Sequence, residues 1–194
     1  MVFSHNETFL NIQINNIILQ RVQKTKFLGI VFDHNLSFKF YYEELLSKVS
    51  RVAGLTHRSR NLVPRAVLKT LYLSLGWSRI SYGIVMWGMS SQTYRNELQL
   101  LQNQIIKSIY GCNNVSTFKP NGLIQFFDAF NYFAAMKLFK ELNHSVVPYL
   151  NAKICSLQRN HNYPTRFTTN HNLIPPRFVK TKCQSSFIFQ SIAF

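Results

Sequence analysis

The sequence predicts a mainly α protein, with a small antiparallel β-hairpin at its amino end, a helical bundle after it and a loosely ordered basic tail. Two patterns indicate this fold. Short apolar runs flank a turn pair within residues 10–33, whereas apolar residues recur every three or four positions between residues 37 and 142. The 194 residues are 46% hydrophobic, which is enough to bury a core. Residues 156–194 are polar and show no period, so we expect a tail there.

The amino-terminal β unit is predicted from its turn and its β-forming residues. Asn15 and Asn16 stand between isoleucines, and asparagine tolerates the left-handed backbone that a tight hairpin turn needs. We interpret Thr25 to Asp33 as a further strand. Two or three strands need something to cover their apolar face. We expect that cover to be missing from this chain.

The first two helices follow from their apolar periods and a proline. The first is predicted from Ser37 to about Arg58. Its apolar face has steps of three and four residues and comprises Tyr42, Leu45, Val49, Val52 and Thr56. A second helix begins near Pro64, which suits a first turn, and continues toward Trp87. Gly76 and Gly83 are possible interruptions of it.

Two further helices complete the predicted bundle. One begins at Ser91 and ends at Tyr110, because Gly111 follows where a helix-ending glycine belongs. Another extends from about Asn121 to Leu142. Its expected inward residues are Ile124, Phe127, Ala134 and Leu138. We therefore divide the chain into residues 1–35, 36–111, 112–155 and 156–194.

The charge is strongly positive and unevenly distributed. The chain has 22 Lys and Arg against seven acids, a formal charge of +15. Residues 45–96 contain eight Lys or Arg and no acid, although a solvated helical face normally mixes both signs. A nucleic acid is the favoured partner for such a field. An ordinary basic surface and binding to anionic lipid are the alternatives.

Several other classes of protein fit poorly. The amino end lacks the pattern of a signal peptide, and Arg79 interrupts the most apolar window, so we expect no membrane span. Three distant cysteines favour a reduced intracellular compartment over a disulfide framework. No Cys-x-x-Cys, G-x-S-x-G or phosphate-loop pattern occurs. Asp33, beside His34 and Asn35, is interpreted as a turn or helix-entry residue.

Several short motifs, in order along the chain, resemble one protein family. They are Phe27-Leu-Gly-Ile-Val-Phe-Asp33, Leu36-Ser-Phe-Lys39, Leu71-Tyr-Leu-Ser-Leu75, Ser81-Tyr-Gly83 with Trp87-Gly88, Leu101-Gln102, Ile109-Tyr-Gly111, and His161-Asn-Tyr163 with Thr165-Arg166. Together they resemble the region after the catalytic core of reverse transcriptases from non-LTR (LINE-type, jockey-like) retrotransposons. Each motif is weak by itself, and it is their common order and spacing that carries the resemblance.

The resemblance implies a palm end, a thumb and a connecting region, with the catalytic palm itself absent. Phe27, Leu28 and Gly29 would then lie in a primer-grip-like strand. The residues expected to bind an RNA or RNA–DNA hybrid duplex are Lys48, Arg51, Arg58, Arg60, Arg65 and Lys69. The family's paired Mg²⁺ ions need clustered carboxylates, but this chain has only Asp33 and Asp128 as aspartates. We expect no cofactor in this chain, with Mg²⁺ serving only the intact parent enzyme.

Three functional hypotheses remain open from the sequence. The first is a fragment of such a reverse transcriptase, inactive alone, whose partners are a duplex and the missing palm and fingers. The second is a stand-alone basic helical module that binds nucleic acid. The third is a decayed transposon fragment without function. An in-frame upstream palm with an Asp-Asp motif would favour the first hypothesis.

Overall fold

The computed structural model of the chain describes residues 13–18, 22–111, 123–144 and 148. Its elements are β1 (Gln13–Ile14), β2 (Ile17–Ile18), β3 (Lys24–Phe27), β4 (Ile30–Asp33), α1 (Lys39–Ser59), α2 (Arg65–Tyr72), a π-helical turn (Leu73–Trp77), α3 (Ser78–Ser81), α4 (Ile84–Trp87), α5 (Gln92–Tyr110) and α6 (Phe126–His144). The predicted mainly α class with a small amino-terminal antiparallel β-hairpin is confirmed. The predicted tail, residues 156–194, lies outside the described residues.

The chain divides into two compact units. The first is Met1–Gly83 with Ser90–Asn121, and the second is Ile84–Met89 with Gly122–Phe194. Each unit is described separately below. The domain boundaries at residues 35, 111 and 155 stay a prediction.

The described strands form two antiparallel hairpins. Asn15 and Asn16, with φ of 50° and 60°, connect β1 to β2, so the predicted turn is confirmed. Leu28 and Gly29, with φ of 46° and 81°, connect β3 to β4. The prediction of one strand over residues 25–33 is therefore wrong. Two consecutive residues with positive φ give the turn whose twist matches that of the flanking strands, and glycine adopts this conformation without a steric cost.

The second hairpin is covered by α1. Ile30 and Phe32 on β4 are buried, and the Phe32 ring meets the Phe38 ring edge-on at 5.6 Å between centroids. β4 packs against α1, the helix that begins immediately after Phe38. For this hairpin the expectation that the cover is missing from the chain is thus wrong, because the helix that follows it provides the cover.

Asp33 organises the corner between β4 and α1. The backbone N–H groups of Ser37 and Phe38 donate to its two carboxylate oxygens at 3.0 and 2.8 Å. Burial by itself would raise the pKa of Asp33, but these hydrogen bonds outweigh it and hold the pKa below its ordinary value. Leu36 and Phe38 have φ of 52° and 57°, which is uncommon for residues with a side chain. The interpretation of Asp33 as a helix-entry residue is confirmed.

The core of the first unit lies between α1, α2 and α5. The predicted face of α1 is buried along its whole length. On α5 the buried residues include Leu98, Ile105 and Ile109, and Gly111 ends that helix in a left-handed conformation, as predicted. The N–H of Gly111 donates to the carbonyl of Lys107 at 2.8 Å. Aromatic stacking of Tyr42 on Tyr94 joins α1 to α5.

The helix predicted from Pro64 to Trp87 is interrupted once. α2, the π-helical turn and α3 form a continuous right-handed path, so Gly76 does not break it. The break falls at Tyr82, which has extended ψ, and Gly83, with φ of 62°.

The buried face of α2, the π-helical turn and α3 has one residue every four positions: Leu68, Tyr72, Gly76 and Ile80. They face α1, and Gln102 of α5 donates to the Tyr72 hydroxyl at 2.9 Å.

The second unit pairs α4 with α6. Trp87 is fully buried and stacks on Phe126 with ring centroids 5.6 Å apart. The buried face of α6 begins with Phe126 and continues through Phe130 and Ala134 at steps of four residues. Ala134 was predicted inward, but Ile124 precedes the helix and is 47% exposed, so its inward placement is wrong. Phe127 and Leu138 are half-buried.

None of the helices in the described ranges has a stretch long and apolar enough to cross a bilayer.

Candidate nucleic-acid interface

The three predicted cations of α1 have different surroundings. Lys48 is half-buried and pairs with Glu44 at 2.5 Å between Nζ and Oε1. The hydrogen bond from Lys48 lowers the pKa of Glu44. Arg51 and Arg58 are exposed, and the Nη2 of Arg51 reaches the Ser47 hydroxyl at 3.4 Å. Seven residues are close to two helical turns, so Arg51 and Arg58 share one face, about 10 Å apart along the axis.

The other three predicted cations surround the corner between α1 and α2. Arg60 follows the last residue of α1, and Arg65 is the first residue of α2. Both are exposed, whereas Lys69, one turn further on, is half-buried. The corner is closed by the N–H groups of Leu62 and Val63, which donate to the carbonyl of Ser59. The structure therefore places Arg58, Arg60 and Arg65 on either side of one short loop.

We define the basic band as Arg51, Arg58, Arg60 and Arg65. Few acids are available to neutralise it within the described part of the first unit. Asp33 is buried and engaged by backbone N–H groups, and Glu43 lies 3.9 Å from the ammonium of Lys39. Glu44 is paired with Lys48, and Glu97 lies on α5 beside the groove that α5 forms with α1. The positive field of the band is thus left largely uncompensated.

The primer-grip-like residues lie at the tip of the second hairpin. Phe27 ends β3, and Leu28 and Gly29 form the turn, so their assignment to a continuous strand is wrong. Phe27 and Leu28 are 61% and 72% exposed. The Tyr82 hydroxyl donates to the Leu28 carbonyl at 2.6 Å, and its ring lies 3.8 Å from where a Cβ of Gly29 would be. The tip is therefore an exposed apolar surface held against the end of α3.

Sequence reasoning missed the role of Tyr82. The signal was present, because Tyr82 belongs to the Ser81-Tyr-Gly83 motif and Leu28 to the Phe27-Leu-Gly motif. The two motifs meet in space across 54 positions of sequence. Tyr72 and Gln102, from two other motifs, meet in the same way through a buried hydrogen bond. The residues that carry the family resemblance hold elements of the fold together.

Within the part of the chain that the structure describes, no three His, Cys, Asp or Glu side chains are grouped so that they could hold a metal ion.

Fold, charge and motif packing together define a mainly helical, strongly basic protein whose motif residues fix a hairpin against helices. Comparison with known proteins makes this class more specific. The chain is 27% identical over 105 residues to the probable RNA-directed DNA polymerase from transposon BS of Drosophila melanogaster. It is 25% identical over 117 residues to the RNA-directed DNA polymerase from mobile element jockey of the same organism.

The two alignments cover 52% and 55% of this chain, but 12% and 13% of the relatives. The resemblance to reverse transcriptases of non-LTR retrotransposons, predicted from the motifs, is confirmed. The chain thus spans about one-eighth of the length of these curated relatives. No family model and no solved structure matches the chain. The similarity supports an origin in the reverse transcriptase of a transposable element.

Proposed function

We propose that this chain is the palm-end, thumb and connecting region of a retrotransposon reverse transcriptase and binds the phosphate backbone of an RNA or RNA–DNA hybrid duplex. The observation that carries the proposal is the basic band. Arg58, Arg60 and Arg65 flank one helical corner, and Arg51 lies two turns before Arg58 on α1, all in a stretch of sequence, residues 45–96, that contains no acid. Two relatives named as RNA-directed DNA polymerases provide the context, since such enzymes work on duplexes.

Arginine suits this role because its planar guanidinium bonds phosphate oxygens in pairs. Contacts of this kind hold a duplex in position without reading its sequence. The exposed hairpin tip, Phe27 to Gly29, would contribute a primer-facing surface next to the duplex. The catalytic Mg²⁺ ions and the carboxylates that hold them would belong to the palm of the parent enzyme, which together with its fingers is the proposed protein partner.

The proposal is tested by the salt dependence of duplex binding. Replacing Arg51, Arg58 and Arg65 by Gln removes three phosphate contacts from exposed positions, so the fold should persist. Each lost contact should flatten the slope of log K against log[salt] by roughly 0.9. Filter binding of a labelled RNA–DNA hybrid across a salt series measures this slope. Changing the base sequence of the hybrid should alter affinity little.

The matched control carries the same charge loss elsewhere. Arg159, Arg177 and Lys180, in the predicted tail, are replaced by Gln in a second triple variant. If the basic band binds the duplex, the control keeps most of the affinity and slope. Equal losses from both triple variants would show that only the net charge matters, and the proposed interface would then be wrong. An intact affinity in the first variant would lead to the same conclusion.

A further inference from the structure

α1 and α5 lie side by side and run in the same direction. The ring of Tyr42, near the start of α1, stacks on the ring of Tyr94, near the start of α5, an offset of 52 positions. Further along, a groove between the two helices is lined by Leu46, Ser47 and Ser50 of α1 and by Glu97, Leu100, Leu101 and Gln104 of α5. The offset is about the same there, so each residue of α5 lies near the residue of α1 that precedes it by about 52 positions.

Lys107 continues the α5 wall of this groove, opposite two residues of the basic band. On α1, the guanidinium of Arg51 reaches the hydroxyl of Ser47 in the groove, and Arg58 follows on the same face. On α5, the exposed Lys107 stands seven residues after Leu100 and therefore on the same side of its helix. The offset between the helices puts Lys107 between Arg51 and Arg58 along the groove.

The acids near the groove leave Lys107 uncompensated. Among the described residues, Lys39, Lys48 and Lys137 form ion pairs with glutamates, and Lys107 does not. Glu97 is the one acid of α5, and it stands ten residues before Lys107, about 15 Å away along the helix axis. Cations therefore line both walls of the carboxy-terminal half of the groove, which favours a polyanion that contacts both walls.

The width of this surface favours one form of duplex. Two packed helices have axes roughly 8–10 Å apart, and each is about 10–12 Å across, so the outer flanks of the pair are roughly 20 Å apart. The minor groove of B-DNA, about 6 Å wide, is too narrow for such a surface. RNA duplexes and RNA–DNA hybrids are A-form, with a wide and shallow minor groove that displays 2′-hydroxyls. An A-form duplex can therefore place one strand against α1 and the other against α5.

The polar side chains of the groove suit the same ligand. Ser47, Ser50 and Gln104 are exposed. Serine hydroxyls and glutamine amides both donate and accept hydrogen bonds, as a 2′-hydroxyl does. Arg51 donates to the Ser47 oxygen, which leaves the hydroxyl hydrogen of Ser47 for another acceptor. DNA has no 2′-hydroxyl, so contacts of this kind distinguish RNA-containing duplexes from DNA.

We infer that the α1–α5 groove selects A-form duplexes over B-form DNA. Ser50 and Gln104 bind 2′-hydroxyls in the minor groove, and Lys107 binds phosphates of the second strand. The inference rests on the proposed function, since Arg51 and Arg58 of the basic band supply the contacts to the first strand.

The test compares three labelled probes of one sequence, an RNA–DNA hybrid, a DNA duplex and a single-stranded RNA, in filter binding to the full chain. The native chain should bind the hybrid about tenfold more tightly than the DNA duplex, as expected for two hydrogen bonds. Replacing Ser50 and Gln104 by Ala should remove this preference and leave affinity for the DNA duplex unchanged. Lys107→Gln should flatten the salt slope for the hybrid by roughly 0.9. Lys140→Gln, at an exposed position of α6, is the matched control and should keep the native slope.

The outcomes distinguish this inference from the proposed function, with far-UV circular dichroism confirming that each variant is folded. Native behaviour of Lys107→Gln and of the Ser50 and Gln104 double variant, beside a weakened triple arginine variant, would leave the basic band in place and overturn the role of the groove. Native affinity in the triple arginine variant as well would overturn both. Equal weakening of hybrid and DNA duplex by the double variant would show that no 2′-hydroxyl is bound. Tighter binding of single-stranded RNA than of the hybrid would assign the groove to a single strand and also overturn the inference.

Discussion

Gly88 lies where the second unit has no room for a side chain. A Cβ at this position would lie against the carbonyl oxygen of Ile84 and 2.7 Å from the ring of Phe130. Gly88 and Trp87 form one of the motifs that carry the family resemblance, and Trp87 is fully buried beside it. The Trp-Gly pair thus combines a large core residue with a backbone position beside Phe130 that has no room for a Cβ.

We predict that Gly88→Ala lowers the free energy of unfolding by roughly 1–3 kcal/mol, because the added methyl group forces α4 and Phe130 apart. Urea denaturation followed by tryptophan fluorescence measures the loss. Gly54→Ala is the matched control, since a Cβ there meets nothing within 4 Å in the middle of α1. The control should be more stable than the native protein by roughly 0.5–1 kcal/mol, the helix preference of Ala over Gly. Destabilisation by both substitutions would contradict the packing argument.

Asp33 couples the stability of the first unit to pH. Its folded-state pKa is lowered, so its carboxylate stabilises the fold at pH values above its unfolded pKa of about 3.9. That contribution is lost as the pH falls through the lower, folded pKa. Asp33→Ala leaves the N–H groups of Ser37 and Phe38 without their acceptor and should cost roughly 1–3 kcal/mol at pH 7.

The difference between native protein and Asp33→Ala should shrink as the pH is lowered below about 4. Thermal denaturation from pH 7 to pH 3 tests this expectation. Glu97→Ala serves as a control for general charge effects, because Glu97 is exposed on α5. A cost of Asp33→Ala that is independent of pH would show that the protonated carboxyl group holds the corner equally well.

At the scale of secondary structure, the long helices α1 and α5 were predictable because their apolar residues repeat at helical spacing over about 20 residues. The buried face of α1 and the glycine that ends α5 follow directly from the sequence. The hairpin of residues 24–33 did not, because Leu28-Gly29 interrupts a run of β-formers with residues that suit either a strand or a turn. The start of α6 was also misplaced. Because large apolar side chains such as Tyr132, Met136 and Phe139 are exposed on α6, its apolar residues give no single period that would identify the inward side.

The candidate site, like the fold, could be predicted from the sequence only in part. The exposed positions of Arg51 on α1 and of Arg58, Arg60 and Arg65 around the corner follow from helical spacing and Pro64. The pairing of Lys48 with Glu44 is also compatible with helical spacing, because the two residues are four apart on α1. The contact of Tyr82 with Leu28 does not follow from the sequence, because it joins residues 54 positions apart.

The contact of Tyr82 with Leu28 fixes the hairpin tip to the helices. We predict that Tyr82→Phe, which removes only the hydroxyl donor, lowers stability by roughly 0.5–1.5 kcal/mol, toward the lower end because the contact is exposed. The larger effect of Tyr82→Phe should be on the local stability of the second hairpin. Amide hydrogen exchange at residues 24–33 should accelerate, while exchange in the middle of α5 stays as it was.

Tyr132→Phe is the matched control, since Tyr132 is also about half exposed but lies on α6. This control should leave hydrogen exchange in the hairpin unchanged. Unaltered exchange at residues 24–33 in Tyr82→Phe would mean that ring packing, not the hydrogen bond, holds the tip.

At the scale of the whole molecule, positive charges are many and acids are few. A net charge of +15 favours polyanions, and the acids that could hold metal ions are few and dispersed. Asp33 is occupied as a helix-entry residue, and Glu44 is paired with Lys48. The adjacent pair Glu43 and Glu44 lies on one helix, where neighbouring side chains point about 100° apart and do not converge on one ion.

We therefore predict that the purified chain binds a primed RNA template but adds no deoxynucleotides to the primer with either Mg²⁺ or Mn²⁺. Two-metal phosphoryl transfer needs carboxylates that bridge ions about 3.5–4 Å apart, and this chain offers isolated or engaged acids. Denaturing gel electrophoresis of a labelled primer measures extension, and gel-shift of the same substrate confirms binding. An active reverse transcriptase added to the same mixture shows that the substrate is competent. Extension that increases with the amount of protein and disappears in Asp33→Asn or Asp128→Asn would contradict the prediction, because it would place a catalytic carboxylate in this chain.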